Sequence, residues 1–194
     1  MTVHPIEEQS YRILAERVDL SELGPLARAV VGRIVHASAD PEYARTVVAA
    51  EADLASGVEA LRSGAPVVTD VEMVRHGISG AEIRCYLHAA DAAPLPSGIT
   101  RSAAGMRVAA AQHPLGAVFA IGCAPTALSE LVRLHAAGEV RPALVVGLPV
   151  GFVGAAAAKE ALRASGMPAV SNVGDKGGSA VAAAAVNALV RLAC

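Results

Sequence analysis

Tryptophan is absent from this 194-residue chain, and aromatic residues make up only 3% of it although 54% of its residues are hydrophobic. A core with so few rings is built from Ala, Val and Leu, and it reaches native density by close backbone approach. Cysteine is scarce too. Cys85, Cys123 and Cys194 lie too far apart for a metal knuckle or a Cys-x-x-Cys redox pair. An odd number of thiols and an N-terminus with no secretory segment predict reduced cysteines in a cytoplasmic protein. No excess of positive charge exists: the formal net charge is -2, which argues against a general nucleic-acid binder. Long apolar runs are missing. The longest weakly polar stretch, 143–158, is broken by glycines and Pro149 and falls short of the ~20 residues a spanning helix needs, so no membrane segment is expected. His, Cys and carboxylates do not cluster at metal-ligand spacing. Gly147, Gly151 and Gly154 match neither the G-x-G-x-x-G fingerprint nor a P-loop, so neither of those nucleotide-binding signatures is present.

What the chain does have is alternation. Apolar runs at Gly116–Ile121 and Ala143–Val146 read as strands, each followed by a tight turn and a helix. The first helix opens at Pro125 and stops at Gly138; the second starts near Val153 and runs to Leu162. Strands joined through helical crossovers are parallel. Helices are predicted over Ile6–Arg17, Pro25–Val35, Pro41–Val48, Glu51–Arg62, Val71–His76, Thr100–Ala111 and Ala180–Leu192. Further strands are predicted at Pro66–Thr69, Ile83–Leu87 and Pro168–Ser171, with an exposed connection over 88–98. The expected fold is α/β, a single domain over 1–194 with a mostly parallel sheet flanked by helices on both faces. The turns after Ile121 and Val146 fall at the strands' C-terminal edge, where open α/β sheets bind ligands and helix N-termini suit anions.

Several side chains can carry chemistry. Arg33 and His36 stand three apart at a helix end, hence on one face. An imidazole gives or takes a proton near neutrality, and a guanidinium holds a carboxylate through two bonds. Thr100, Arg101 and Ser102 open a helix and offer a carboxylate clamp; the plainer reading is an N-cap with a solvated arginine. Asp70 either orients a ligand or caps the helix after it. Lys176 with Gly177, Gly178 and Ser179 is another helix-start anion site, or a flexible turn. The remaining histidines, His4, His76, His88, His113 and His135, read as structural or surface groups.

Longer motifs sharpen this. Ile6-Glu7-Glu8-Gln9-Ser10-Tyr11, Arg33-Ile34-Val35-His36-Ala37-Ser38, Thr100-Arg101-Ser102-Ala103-Ala104, Ala124-Pro125-Thr126-Ala127-Leu128 and Pro149-Val150-Gly151-Phe152-Val153-Gly154-Ala155-Ala156 follow one another along nearly the whole chain. In these segments the chain resembles the precorrin-8X methylmutase family of corrin biosynthesis.

The resemblance implies an isomerase that moves a methyl group from carbon 11 to carbon 12 of precorrin-8X or its cobalt form, giving hydrogenobyrinate or cobyrinate. It implies that His36 is the catalytic residue, protonating a ring nitrogen and taking the proton back. It implies that Ser10, Arg33, Arg101 and Ser102 bind the tetrapyrrole polycarboxylate. It also implies a homodimer with its active sites at the subunit interface and no separate cofactor. The rival expectation is a tetrapyrrole-binding or product-carrying protein without turnover. It is motivated by departures from the family pattern near Cys123, which stands in place of Asn, and Asp175, where basic residues are usual; Ala157 and Ala158 in place of Glu and Ser and a shortened segment after Gly77 are further departures.

Overall fold

The apolar runs at the middle of the chain pair as parallel strands, Val118 against Leu144 and Ile121 against Gly147, and every position in them is buried. The structure, a computed structural model, describes residues 4–92, 95 and 97–194. Among these, the elements run α1 (Pro5–Arg17), α2 (Pro25–Ser38), α3 (Tyr43–Thr46), β1 (Val47–Ala49), α4 (Glu51–Arg62), β2 (Val67–Thr69), α5 (Glu72–Gly77) and β3 (Ile83–Cys85). A 3-10 helix, Leu87–Ala92, precedes α6 (Arg101–Gln112), β4 (Val118–Ile121), α7 (Pro125–Ala136), β5 (Leu144–Gly147), α8 (Ala155–Ala164), β6 (Ala169–Asn172) and α9 (Ser179–Ala193). They form one sheet in the order β1-β6-β5-β4-β2-β3, parallel except where β1 meets β6.

Period-two alternation sorts the strand side chains between two cores. Val67, Val118, Ala120, Leu144 and Val146 join α2, α4, α5 and α9 on one face. Val68, Phe119, Ile121 and Val145 join α6, α7 and α8 on the other. The expected layering of helices on both faces is therefore what forms. Small residues make it possible. A Cβ on Gly147 would run into Leu162 and Leu128, so helices α7 and α8 pack directly onto the β5 backbone.

Three local expectations change. The segment Pro41–Val48 is helical only over Tyr43–Thr46; β-branched Val47 and Val48 then form an antiparallel edge strand, because the free edge of β6 offers backbone partners. Helix α8 begins at Ala155, not near Val153. Gly154 adopts φ 82° as its N-cap, leaving Phe152 and Val153 exposed in the turn before it. Strand β3 ends at Cys85, and the connection beyond it begins as the 3-10 helix; residues 93, 94 and 96 of that connection lie outside the described residues.

The chain leaves β2 in one direction, to β3, and from β4 builds in the other. The switch point of the sheet thus lies between β2 and β4, at the C-terminal edge. No helix among the described residues is long and apolar enough to cross a membrane.

Candidate active site

Helix α2 is placed firmly. Pro25 takes its first turn, and the Glu51 carboxylate of α4 accepts hydrogen bonds from the Ala27 N–H (2.8 Å) and the Leu26 N–H (3.3 Å), an anion at the positive helix end. Val30, Val31, Ile34 and Val35 bury one stripe in the core. Arg33 and His36 lie off that stripe and stay partly exposed. Ala39, in the left-handed region at φ 53°, ends the helix.

Helix α1 lies over them. It has Pro5 in its first turn and the His4 imidazole as N-cap, accepting from the Ile6 N–H at 3.2 Å. It buries no residue fully; Leu14 packs against the core cluster that holds the α2 stripe, and Glu7, Ser10 and Tyr11, within one helical turn, bring polar groups to α2. Two rungs result. Arg33 Nη1 donates to Glu7 Oε1 at 3.0 Å and to the Tyr11 hydroxyl at 3.3 Å. Ser10 Oγ lies 3.0 Å from His36 Nδ1, and the Tyr11 ring stacks on the imidazole at a 4.6 Å centroid separation and 7° between planes. Partial desolvation raises the Glu7 carboxyl pKa, but the charges of Arg191 and Arg33 outweigh it and hold that carboxyl below the usual carboxylate value. An open cleft of about 420 Å³ is lined by His4, Ile6, Glu7, Ser10, Arg33 and His36.

So three of the five candidate residues, Ser10, Arg33 and His36, meet in one cleft. The other two do not join them. Arg101 and Ser102 sit in the first turn of α6, capped by Thr100 Oγ on the Ala103 N–H (3.2 Å). Arg101 Nη2 lies 3.0 Å from His88 Nδ1, and Thr100 Oγ lies 2.7 Å from Thr126 Oγ at the start of α7. Among the described residues no hydrogen bond links this turn to Ser10, Arg33 or His36.

Two other sequence expectations are corrected. Asp70 does not cap the helix after it. It leaves β2 and turns to the neighbouring strand, where its carboxylate accepts from the backbone N–H groups of Gly122 (3.2 Å), Cys123 (2.9 Å) and Ala124 (2.8 Å). The turn before α7 is therefore not an open anion site: the protein's own carboxylate fills it, at the switch point of the sheet. Burial pushes the Asp70 pKa up, and the three N–H groups offset only part of that. Lys176 is not free for a ligand anion either. Its ammonium bonds Asp40 Oδ2 (2.6 Å) and Glu42 Oε2 (2.8 Å), which raise its pKa.

The remaining histidines have local partners: His113 with the Tyr86 hydroxyl (2.7 Å), His135 with the Val140 carbonyl (3.0 Å), His76 with Glu72 (3.7 Å). Among the described residues no group of three or more His, Cys, Asp or Glu side chains could hold a metal ion. What the cleft can do is proton transfer beside an anion clamp: an imidazole oriented at one nitrogen, with a guanidinium one turn away.

Known proteins with the same pattern are found at both the sequence and the structural level. The precorrin-8X methylmutase family profile matches residues 5–192. A cobalt-precorrin-8 methylmutase of Methanothermobacter thermautotrophicus is 45% identical over 193 residues, covering 97% of this chain and 93% of the relative. A precorrin-8X methylmutase of a Sinorhizobium species is 39% identical over 196 residues, covering 96% and 93%. The crystal structure of a precorrin-8X methylmutase from Thermus thermophilus superposes with a TM-score of 0.85 at 36% identity, covering 98% of both chains.

Proposed function

The chain belongs to the precorrin-8X methylmutase family, and on that premise we propose how its residues carry the reaction. It is an isomerase of cobalamin biosynthesis that shifts a methyl group within a tetrapyrrole; the non-catalytic carrier is not favoured. The substrate is precorrin-8X or its cobalt form. The bond from the methyl carbon to ring carbon 11 breaks as its bond to carbon 12 forms, so no atom enters or leaves.

His36 is the proton donor and acceptor. As an imidazolium it lends a proton to a ring nitrogen, which drains electron density from the macrocycle while the methyl group moves, and it takes the proton back from the product. The observation that carries this is the Ser10–His36 hydrogen bond at Nδ1. With Ser10 Oγ accepting from Nδ1–H, that nitrogen keeps its proton through the cycle. Nε2 has no hydrogen-bond partner among the described residues and is the nitrogen that exchanges a proton with substrate. Tyr11 stacking fixes the ring plane. Positioned acid–base catalysis of this kind contributes ~10²–10⁴-fold in rate.

Arg33 binds a substrate carboxylate at the mouth of the cleft, and Arg101 and Ser102 bind carboxylates at the opening turn of α6. A homodimer with the active site at the subunit interface supplies the rest of the enclosure. Support comes from the openness of the cleft and from apolar side chains left at the surface, Ile6 at its edge and Phe152 at 97% exposure. The enzyme works in the cytoplasm with its three cysteines as free thiols, the state in which the structure has them.

The test is an absorbance time course with precorrin-8X and, separately, its cobalt form, run beside His36→Ala. Wild type should turn over one or both and His36→Ala neither. A stoichiometric spectral shift with no turnover on both substrates would overturn the reading, and a fully active His36→Ala would remove the histidine from it.

A further inference from the structure

Lys159, on α8, is fully buried, at 0% exposure, and lies outside the cleft described above. Its ammonium has three donors and two partners: Asn172 Oδ1 at 3.0 Å and the Lys176 carbonyl at 2.6 Å. Among the described residues it forms no ion pair. Burial drops its pKa to about 8; the nearby Arg163 charge acts in the same direction and Asp175 against it. A buried cation without a carboxylate is an expensive way to fill space, because replacing such groups by apolar ones of similar volume is often neutral or stabilising. Its partners point to a use besides stability.

The geometry supplies one. Lys159 Nζ and Asn172 Nδ2 converge on a single acceptor, the Lys176 carbonyl. They pin the backbone of the 173–178 loop at the C-terminal edge of the sheet. From the same residue the Lys176 side chain reaches Asp40 and Glu42, immediately beyond the end of α2. Tyr43 adds a hydroxyl contact to the Gly177 carbonyl at 3.5 Å. The other side of the loop is fixed as well: the Gly178 N–H donates to the Leu148 carbonyl (2.9 Å) and the Gly151 N–H to the Asp175 carbonyl (3.1 Å). A side chain on Gly177 would strike the Leu148 and Pro149 carbonyl oxygens, so the loop has no slack.

We infer that Lys159 is a positioning residue for the methyl shift: by holding the Lys176 carbonyl from below, it sets the point from which Lys176 anchors the C-terminal end of the helix that carries His36. This rests on the isomerase reading above. Lys159 does not touch substrate. Its effect passes through two main-chain and side-chain contacts to the Asp40–Glu42 turn, and a small displacement of a positioned acid–base group is enough to slow a reaction.

The experiment compares wild type, Lys159→Met and Lys176→Met by three readouts: amide hydrogen exchange, melting temperature and steady-state kinetics with precorrin-8X. For Lys159→Met, exchange should rise in 173–178 and 40–46 and stay unchanged in the central strands. The melting temperature should move by no more than about 5 °C. kcat should fall ~10–100-fold while KM changes little. Lys176→Met, exposed and without a buried charge to strand, should lower kcat in the same direction; it carries the test if Lys159→Met does not fold. Unchanged kcat in Lys176→Met, or in a folded Lys159→Met, overturns the inference, as does a loss of activity that merely follows a global rise in exchange. If wild type itself turns over neither substrate form, the isomerase reading fails, whereas the exchange pattern still decides the loop clamp.

Discussion

Ser10 Oγ sits 3.0 Å from His36 Nδ1 across 26 residues of sequence, joining the first helix to the second at the edge of the cleft. Helix α1 buries no residue fully, and this bond and the Glu7–Arg33 pair one turn away hold it together with the Tyr11 stacking, the Glu7–Arg191 pair and Leu14, which packs against the core. Ser10→Ala removes the hydrogen-bond partner of Nδ1. It should lower kcat by about tenfold or more, within the range of a single acid–base positioning contact, without changing the melting temperature appreciably. Steady-state kinetics beside thermal melts check this; equal kcat in wild type and Ser10→Ala would show that the serine does not orient the ring.

Arg33 donates to a carboxylate and a phenol oxygen from one nitrogen, and on the proposed reading the rest of its planar fork takes a substrate carboxylate. Arg33→Lys keeps the charge and loses the fork. KM for the polycarboxylate should rise with kcat changed less, and added salt should weaken binding to wild type and to Arg33→Lys by a similar factor, because the charge is retained. A binding titration at two ionic strengths measures both effects.

Asp70→Asn puts an amide N–H₂ where a carboxylate oxygen accepts from backbone N–H groups. With the site almost wholly buried, the variant should lose ~1–3 kcal/mol by denaturant unfolding. The sign with pH is also set. Burial raises the folded pKa of Asp70, so between the unfolded value and the folded one the native state holds the extra proton. The stability contributed by this group is full below that window and falls as pH rises through it. Asp70→Asn should lack that acidic-range slope.

Lys159 has the opposite place on the pH axis. Its folded pKa, about 8, lies below the ordinary lysine value of 10.5, so above pH 8 the unfolded chain binds more protons than the native one. Its contribution to stability is least favourable below pH 8 and improves as pH rises from there toward 10.5. The charged groups acting on it are Arg163 and Asp175, and the Lys176 ammonium is occupied by Asp40 and Glu42. Unfolding free energies of wild type minus Lys159→Met, measured from pH 7.5 to 10, should rise with pH; a flat difference would place the lysine pKa at its ordinary value.

Gly147→Ala tests the close packing that stands in for aromatic side chains. The new methyl would meet Leu162 and Leu128 on two helices, an overpacking that costs about 1–3 kcal/mol. Thermal melting should fall without loss of activity at low temperature.

Much of the fold was legible along the chain, because the two middle strands are runs of apolar β-formers ended by glycine or proline and followed by helices with their own start signals. The strands at 118–121 and 144–147 and the helices from Pro25, Glu51 and Pro125 are local patterns of this kind. Motif resemblance singled out His36, Arg33 and Ser10, and the i, i+3 spacing already put the first two on one face; that all three line one cleft is a matter of how α1 lies on α2. The edge strand Val47–Ala49 was not, since three residues have no period and their conformation is decided by the free edge of β6, more than 120 residues later in the chain.

The sequence by itself determined the alternation of elements and the family to which the chain belongs. Both rest on contacts between near neighbours or on runs of residue types. Only the tertiary structure decided that Asp70 fills the turn 52 residues beyond it, that Arg101 meets His88 and does not line the His36 cleft, and that Lys159 lies beneath the 173–178 loop. A buried polar group takes whichever partners the packed layers bring within hydrogen-bond reach, and no spacing along the chain records that meeting.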